Sequence, residues 1–269
     1  NVFVVPVQIA RMLDDPARAI DAAPPARKWC AGSYLPTAHK KEIFTRWPGG
    51  LIEIYGMTEG APFTILDAAA RPDKLHTVGR SDPPEDVKII DESGHLLPPG
   101  ARGEVIGRIR SFMSGYNNDR PATDALVWRD KNGDAYCRSG DIGVLDDEGF
   151  LQIVDRKKDV IISGGFNIYA SDIEAALLAH SDVSEAAAFA VPSARWGETP
   201  AAAVVLRPGA NPSSTELLTW TNARLGRAQR LATLVFIDAL PRGSLDKVLR
   251  RELRDRYRHL GDEAEALSS

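Results

Sequence analysis

The stretch from residue 136 to residue 174 constrains this chain most, because two glycine-rich segments lie there on either side of a charged cluster. The first segment, YCRSGDIG, places Asp141 between two glycines, and the cluster DRKKD precedes Gly164 and Gly165. Since glycine lets a backbone approach a ligand closely, the glycine segments are candidates for a ligand site, and the charged cluster between them is a candidate domain hinge. A β-turn aspartate, a solvated connector and a plain turn are the alternative interpretations of these three features.

Three patterns follow one another along the chain and indicate an α/β plus α+β fold. Residues 1–76 alternate short apolar strands with helical segments. Residues 77–157 contain short strands separated by turn signals, including Asn132-Gly133 and residues 146–149, which is typical of a small β-barrel-like subdomain. Residues 158–269 mix helices and strands. We therefore expect a domain boundary between residues 157 and 158.

Local signals predict where several helices begin. Ser171 and Glu174 have the spacing of a capping box, and Ser213 is placed to cap a second helix. A last helix is expected over residues 247–258. Because Glu252 and Asp255 interleave with its arginines, the sequence favours a solvated helix face there rather than a basic binding surface.

The composition excludes several classes of function. The chain has 269 residues, a net charge of −4 and 26% charged residues, which is ordinary for a soluble globular protein and offers no basic surface for nucleic acid. No apolar run approaches the roughly 18 residues that a membrane span needs. Cys30 and Cys137 are too few and too distant for a metal cluster or a disulfide framework, so we expect a reducing, cytoplasmic compartment.

The pentapeptide YGMTE, residues 55–59, directly follows a predicted strand. Ligands of α/β sheets bind where strands end, so these side chains are candidates for a binding site. Thr58 offers a hydroxyl for a phosphate oxygen, Glu59 a hard oxygen ligand for Mg²⁺, and Tyr55 a flat ring. The alternative is a strand-to-loop turn with an incidental acid.

Two further side chains have chemistry that suits a nucleotide. Asp141 can accept hydrogen bonds from both hydroxyls of a ribose, and Arg156 in the charged cluster can reach back to a ligand. Lys247 lies where a loop containing Pro241 and Gly243 meets the last predicted helix, and a lysine there can bring a point charge to a developing anion. A surface lysine is the simpler interpretation of Lys247.

Together these segments resemble the AMP-forming acyl-CoA synthetase family, which shares its fold with firefly luciferases and peptide-synthetase adenylation domains. YGMTE resembles the family's Tyr-Gly-x-Thr-Glu motif, and YCRSGDIG with GFLQIVDRKKDVIISGGFNIYASDIE resembles the signature around its hinge. LPRGSLDKVLRREL resembles the closing motif with the catalytic lysine. The resemblance covers nearly the whole chain. It implies that residues 1–157 end a large AMP-binding domain and that residues 158–269 form a small lid domain.

The resemblance also implies roles for individual residues. Lys247, Thr58 and Glu59 would be catalytic, with Thr58 at the α-phosphate and Glu59 at Mg²⁺. The implied nucleotide-binding residues are Ala31, Gly32, Ser33, Tyr55, Gly56, Thr58, Asp141 and Arg156. The implied hinge is Lys158, the implied CoA channel contains Gly164 and Gly165, and the near end of the acyl pocket contains Gly60 and Ala61.

The implied activity is that of an ATP-dependent carboxylic acid–CoA ligase acting through acyl-AMP, with ATP/AMP, Mg²⁺ and CoA as ligands. The lid would turn about Lys158 between adenylation and attack by the CoA thiolate. The resemblance favours a small-molecule carboxylic acid, ring-bearing or of medium chain length, a place in fatty acid metabolism, and a possible homodimer.

Three departures from the family pattern qualify these expectations. The Ser/Thr/Gly-rich phosphate loop of the family does not occur in the sequence, so we expect that the chain is a fragment and does not form acyl-AMP from ATP alone at a useful rate. Asp246 stands where glycine usually precedes the catalytic lysine, and Ala170 stands where proline is usual. The alternatives are a luciferase-like or peptide-synthetase adenylation domain and a catalytically silent fragment that binds nucleotide or CoA.

Overall fold

The computed structural model describes residues 1–14, 20, 23–83, 86–108, 113–243 and 247–261. The chain divides into two compact units, Asn1–Val154 and Asp155–Ser269. The sequence places the boundary between residues 157 and 158, and the structural division falls between Val154 and Asp155. Within the described part of the chain, no helix is both long and apolar enough to cross a bilayer.

The first unit begins with a four-stranded sheet. Its strands are β1 (Val2–Val4), β2 (Lys28–Cys30), β3 (Leu51–Gly56) and β4 (Phe63–Asp67), in that spatial order. Strands β1 to β3 are parallel, and β4 returns antiparallel to β3. Helices α1 (Pro6–Asp14) and α2 (Thr37–Arg46) lie in the two crossovers that parallel pairing requires. The α/β prediction for this region is confirmed.

The crossover helices bury one apolar face against this sheet. Ile9 of α1, Ile43 of α2 and Leu51 of β3 are fully buried in one cluster. The chain leaves α2 through Gly49, whose φ of +108° lies in the left-handed region. A Cβ on Gly49 would come within 2.4 Å of the backbone nitrogen of Ala26, so only glycine fits this turn.

A second sheet follows in the chain, with helix α3 (Arg120–Ala125) inserted before its third strand. Its strands are β5 (Val87–Ile90), β6 (Gly103–Arg108), β7 (Val127–Arg129), β8 (Ala135–Leu145) and β9 (Leu151–Arg156). The order is β5-β6-β8-β7, and β9 also pairs with β8. Among the described residues no pairing closes this sheet on itself, so the barrel-like description remains a prediction.

The two predicted turns of this sheet are confirmed and have the same construction. In each turn an aspartate, Asp130 or Asp146, accepts hydrogen bonds from the backbone amides two and four residues later in the chain. The following glycines, Gly133 and Gly149, have φ values of +84° and +79°. These contacts are local in sequence, which is why the sequence signals suffice.

The second unit is a five-stranded sheet with helices on both faces. Its elements are β10 (Ile161–Ser163), β11 (Phe166–Ile168), α4 (Ala170–Leu178), β12 (Val183–Ser193), β13 (Gly197–Leu206), α5 (Ser214–Asn222), β14 (Thr233–Phe236) and α6 (Arg250–Arg256). The order is β11-β10-β13-β12, with β14 parallel to β13. Ala188 packs with residues of α4 and α5, whereas its neighbour Phe189 packs with Leu253 of α6. The alternation of a strand thus gives the sheet two apolar faces.

The predicted capping box at Ser171 and Glu174 is wrong. Helix α4 begins at Ala170, and its first residue is preceded by Tyr169, which makes no side-chain cap. Asp155 instead accepts a hydrogen bond from the amide of Ser171 (3.2 Å), and Glu174 accepts one from the amide of Ala188 (2.9 Å). Tertiary partners have replaced the local ones. The cap predicted at Ser213 is confirmed, with a reciprocal bond to Glu216.

The expectation of a solvated face on the last helix is also wrong in part. Helix α6 begins at Arg250 rather than at Lys247. The Arg250 side chain is only 20% exposed and forms an ion pair with Glu174, whereas Arg251 beside it is 96% exposed.

Candidate active site

The carboxyl edge of the first sheet brings together two of the predicted nucleotide-binding segments. Residues Ala31, Gly32 and Ser33 form the loop that follows β2, and Thr58 and Glu59 lie in the turn that follows β3. Because β2 and β3 are parallel and adjacent, both segments leave the sheet at the same edge. The φ of Gly32, +102°, needs glycine for the sharp exit from β2.

The Glu59 carboxylate is oriented by two hydroxyl groups. Thr58 Oγ1 donates to Oε2 at 3.1 Å, and the Tyr116 hydroxyl donates to Oε1 at 2.8 Å. The amide of Met113 also donates to the Glu59 carbonyl oxygen at 3.1 Å. These two uncharged hydroxyls and the Met113 amide fix the orientation of Glu59 in the turn.

Tyr116 is a residue of this site that the sequence did not single out. Its amide donates to Thr123 Oγ1 of α3 at 2.9 Å, which fixes the loop before that helix. The hydrogen bond to Glu59, together with burial, raises the pKa of the Tyr116 phenol, so the hydroxyl stays protonated and remains a donor. Tyr116 is distant from YGMTE in sequence, and no local pattern points to the contact.

Asp141 is held by a tyrosine from the other predicted motif. The Tyr55 hydroxyl donates to Asp141 Oδ2 at 2.7 Å, although the two residues lie 86 positions apart in the sequence. Ser139 Oγ accepts from the Asp141 amide (3.0 Å) and donates to the Val105 carbonyl (2.8 Å). The structure therefore joins YGMTE and the SGD segment at one place, with the Asp141 carboxylate largely buried.

A buried ion pair supports the same sheet from within. Lys40 Nζ lies 2.5 Å from Glu53 Oε2, and it also donates to the Thr77 carbonyl at 2.8 Å. Burial raises the pKa of Glu53, and the charge of Lys40 opposes that rise. Glu53 precedes Tyr55 by two residues on β3, so this pair fixes the strand that leads into the site.

Both cysteines are structural. Cys30 and Cys137 are free and buried, and burial raises the pKa of the first thiol to about 12 and of the second to about 11. Thiols with such pKa values are almost entirely protonated at neutral pH, so neither serves as a nucleophile.

The predicted acyl-pocket residues, Gly60 and Ala61, follow Glu59 directly. Gly60 is exposed, has a φ of +118°, and closes the turn by donating its amide to the Met57 carbonyl at 3.2 Å. Ala61 is buried. The structure thus places Gly60 at the surface of the turn and Ala61 behind it, and their role toward an acid remains a prediction.

The predicted hinge and CoA residues belong to the second unit. Arg156 and Lys158 are exposed, and Lys158 lies in a short 3₁₀ turn, Lys157–Asp159. Gly164 and Gly165 connect β10 to β11 with φ values of +56° and +83°. A Cβ on Gly164 would lie 2.8 Å from the Trp196 ring, whereas one on Gly165 would meet nothing within 4 Å. Packing therefore explains Gly164, and Gly165 faces open space.

Lys247 is exposed at the end of a narrow loop. Its carbonyl accepts a hydrogen bond from the Gly243 amide at 2.9 Å, and Arg242 and Val248 form an antiparallel bridge. Asp246, the departure from the family motif, lies outside the described residues.

Glu59 suits Mg²⁺ as a single protein ligand. Within the described ranges, no group of three or more His, Cys, Asp or Glu side chains is arranged to hold a metal ion. Mg²⁺ usually takes one or two carboxylates and completes its shell with substrate phosphates and water. A hard carboxylate at the edge of a sheet, already oriented by two hydroxyls, meets that requirement.

Comparison with known families and relatives assigns the chain. Residues 2–117 match the family model for AMP-binding enzymes, and residues 172–247 match the model for the AMP-binding enzyme C-terminal domain. The chain is 35% identical over 260 residues to a feruloyl-CoA synthase from an Amycolatopsis species, covering 95% of this chain and 51% of the relative. The chain belongs to the AMP-forming acyl-CoA synthetase family, as the sequence motifs predicted.

Two further comparisons agree with this assignment. A long-chain-fatty-acid–CoA ligase from Escherichia coli O6:H1 is 39% identical over 210 residues, covering 77% of this chain and 36% of the relative. The crystal structure of ATP-bound MatB from Rhodopseudomonas palustris superposes with a TM-score of 0.82 at 26% identity, covering 96% of this chain and 51% of that one. The chain thus spans about half the length, or less, of these relatives.

Proposed function

We propose that the protein acts as an ATP-dependent carboxylic acid–CoA ligase through an acyl-AMP intermediate. The hydrogen bond between Tyr55 and Asp141 supports this proposal most directly, because it joins two motifs that suit the phosphate and the ribose of one nucleotide. The names of the relatives, a feruloyl-CoA synthase and a long-chain-fatty-acid–CoA ligase, are consistent with it.

In the first half-reaction, a carboxylate oxygen of the acid attacks the α-phosphorus of ATP, and the bond to pyrophosphate breaks. Thr58 donates a hydrogen bond to an α-phosphate oxygen, and Lys247 offsets the negative charge that accumulates there. Ala31, Gly32, Ser33 and Gly56 provide backbone near the adenine. Asp141 accepts from the ribose hydroxyls with help from Arg156. The products are acyl-AMP and pyrophosphate.

In the proposed site, Glu59 is the residue that holds Mg²⁺. The ion, when bound with ATP, supplies positive charge to the phosphate oxygens. The chain's contribution is to hold the Glu59 carboxylate in place, which the hydroxyls of Tyr116 and Thr58 do.

In the second half-reaction, the CoA thiol loses its proton to solvent, the thiolate attacks the acyl carbon, and AMP leaves with the electrons of the broken C–O bond. Gly165 is the favoured place for the pantetheine to pass. Beyond its chain neighbours, no atom of the described residues lies within 4 Å of where its Cβ would be, so a narrow ligand has room against the bare backbone. Lys158 is the proposed pivot between the half-reactions.

For the acid, we propose a ring-bearing or medium-chain carboxylate. The small side chains at Gly60 and Ala61 leave room beyond Glu59. Ferulate and dodecanoate are therefore suitable first probes of an aromatic and an aliphatic acid.

The decisive experiment supplies the intact protein that contains this chain with ATP, Mg²⁺, CoA and either acid. We expect AMP and acyl-CoA in equal amounts, detected by mass spectrometry, and no AMP when CoA and acid are both omitted. Acyl-AMP that accumulates and passes to an amine but not to CoA would instead indicate an adenylation enzyme with another acceptor. AMP and CoA binding by calorimetry without turnover would indicate a silent binding protein.

A further inference from the structure

A largely buried ionic cluster in the second unit connects helix α6 to the turn that contains Lys158. Arg250, the first residue of α6, places Nη2 2.7 Å from Glu174 Oε1 and Nη1 3.6 Å from Asp159 Oδ2. The side chains of Arg250, Glu174 and Asp159 are 20%, 17% and 14% exposed. Because solvent screens such pairs little, removing one partner is costly and the geometry is stiff.

Further contacts hold each end of this cluster in place. Glu174 also accepts from the Ala188 amide of β12, so it is fixed to the central sheet as well as to α4. One turn further along α6, Arg254 Nη2 donates to the Lys158 carbonyl at 3.4 Å. Arg250 and Arg254 lie four residues apart and therefore on the same face of the helix. That face meets both Lys158 and Asp159.

The loop that contains Lys247 is joined to the same helix end. The Leu249 amide donates to the Pro241 carbonyl at 2.8 Å, and the Gly243 amide donates to the Lys247 carbonyl at 2.9 Å. Together with the antiparallel bridge between Arg242 and Val248, these bonds pair residues 241–243 with residues 247–249. Residue 249 directly precedes Arg250, so a displacement of Arg250 is transmitted to Lys247.

We infer that Arg250 is a positioning residue that fixes the Lys247 loop to the Lys158 turn, so that the two segments move as one body. The inference on catalysis rests on the proposed function, in which Lys158 is the pivot and Lys247 acts at the α-phosphate. The mechanical link itself rests only on contacts within the second unit, namely those of α6 with Glu174 and the Lys158 turn and those that join the Lys247 loop to α6. The sequence motifs explain none of these contacts.

Hydrogen–deuterium exchange of the 269-residue chain tests the mechanical link. In Arg250→Met, we expect peptides covering residues 156–160 and 241–249 to exchange together, about tenfold faster than in the wild type. Arg251→Met is the matched control, because it removes the same group from the exposed neighbouring position. Faster exchange in only one of the two segments, or equal effects of both variants, would overturn the inference.

If Arg250→Met fails to fold, Asp159→Asn provides a second test. It removes the charge that Arg250 meets at the Lys158 turn and leaves the pair with Glu174 intact. We expect faster exchange at residues 156–160, because the turn loses its ion pair with Arg250, and unchanged exchange at residues 241–249, because Glu174 still holds Arg250. Unchanged exchange at residues 156–160 would refute the link, since Arg250 would then not hold the Lys158 turn.

The half-reactions of the intact protein test the consequence for catalysis. In Arg250→Met, ferulate-dependent ATP–pyrophosphate exchange should fall about 100-fold, because a displacement of about 1 Å at a reacting group has that effect. Thioester formation from supplied feruloyl-AMP and CoA should fall much less. Equal losses in both would indicate a merely structural role. A wild-type protein without ligase activity would refute the proposed function. The hydrogen–deuterium exchange experiment would then still decide whether Arg250 links the two segments.

Discussion

Two carboxylates at the candidate site of the first unit have different contacts from a largely buried carboxylate of the second unit. In the first unit, Glu59 and Asp141 accept hydrogen bonds from the neutral hydroxyls of Thr58, Tyr116 and Tyr55. In the second unit, Glu174 is paired with the guanidinium of Arg250. The hydroxyls orient Glu59 and Asp141, and the arginine forms an ion pair with Glu174. We propose that Glu59 and Asp141 serve a ligand, as their motifs imply, whereas Glu174 stabilises the fold.

The largest effect on activity is expected from Glu59→Gln. The amide keeps the shape of the side chain but loses the charge that a cation needs. In ligase assays of the intact protein we expect a fall of about 10²–10³-fold in kcat. Since the residue is partly exposed, the midpoint of urea unfolding should change little. A stability loss as large as that from Glu174→Gln would contradict the comparison.

Glu174→Gln should have the opposite profile. The variant leaves Arg250 largely buried without its closest carboxylate, so we expect the second unit to lose about 3 kcal/mol of stability. Thermal unfolding followed by calorimetry measures that loss. Near-wild-type stability would show that the pair contributes no more than a surface ion pair does.

Tyr116→Phe sharpens the claim that hydroxyls orient Glu59. The substitution keeps the ring and removes only the donor to Oε1. Because a hydrogen bond to a charged group contributes about 1.5–3 kcal/mol, we expect a loss of activity between roughly tenfold and 150-fold and a higher Mg²⁺ concentration at half-maximal rate. An unchanged Mg²⁺ dependence would show that Thr58 alone suffices.

The smallest expected effect is a shift in the pKa of the Tyr116 phenol. The phenol of Tyr116 has a raised pKa because its hydroxyl donates to the Glu59 carboxylate, which also repels the phenolate. Glu59→Gln removes that charge, so the pKa of Tyr116 should move down toward its ordinary value of 10.0. Ultraviolet titration of the phenolate measures the shift, with Tyr116→Phe identifying the signal. An upward or absent shift would mean that the contact does not form in solution.

The sequence predicts those features of the fold that depend on neighbouring residues. The turns at Asp130 and Asp146 and the cap at Ser213 were predictable because their donors and acceptors lie within four residues. The capping box at Ser171 failed because Asp155 and Ala188, which are distant in sequence, provide the actual partners. A local sequence pattern does not predict a helix cap when residues distant in the sequence provide the hydrogen-bond partners.

In the candidate site, too, the residues that belong to local motifs were predictable, and the contacts that depend on the tertiary fold were not. Thr58, Glu59 and Asp141 were singled out from short motifs, whereas the approach of Tyr55 to Asp141 depends on how the two sheets of the first unit pack. Tyr116 had no signal of its own. Charges of both signs surround Arg250 in the sequence and predict a solvated face, and only the position of Glu174 in the fold reveals that Arg250 is largely buried.

Calorimetric titration of AMP into the 269-residue chain tests most directly whether the carboxylates held by hydroxyls serve the nucleotide. We predict that the wild type binds AMP, that Asp141→Asn weakens binding at least about tenfold through loss of a charged acceptor, and that Glu174→Gln leaves the affinity unchanged. An Asp141→Asn variant that binds AMP as tightly as the wild type would contradict the account.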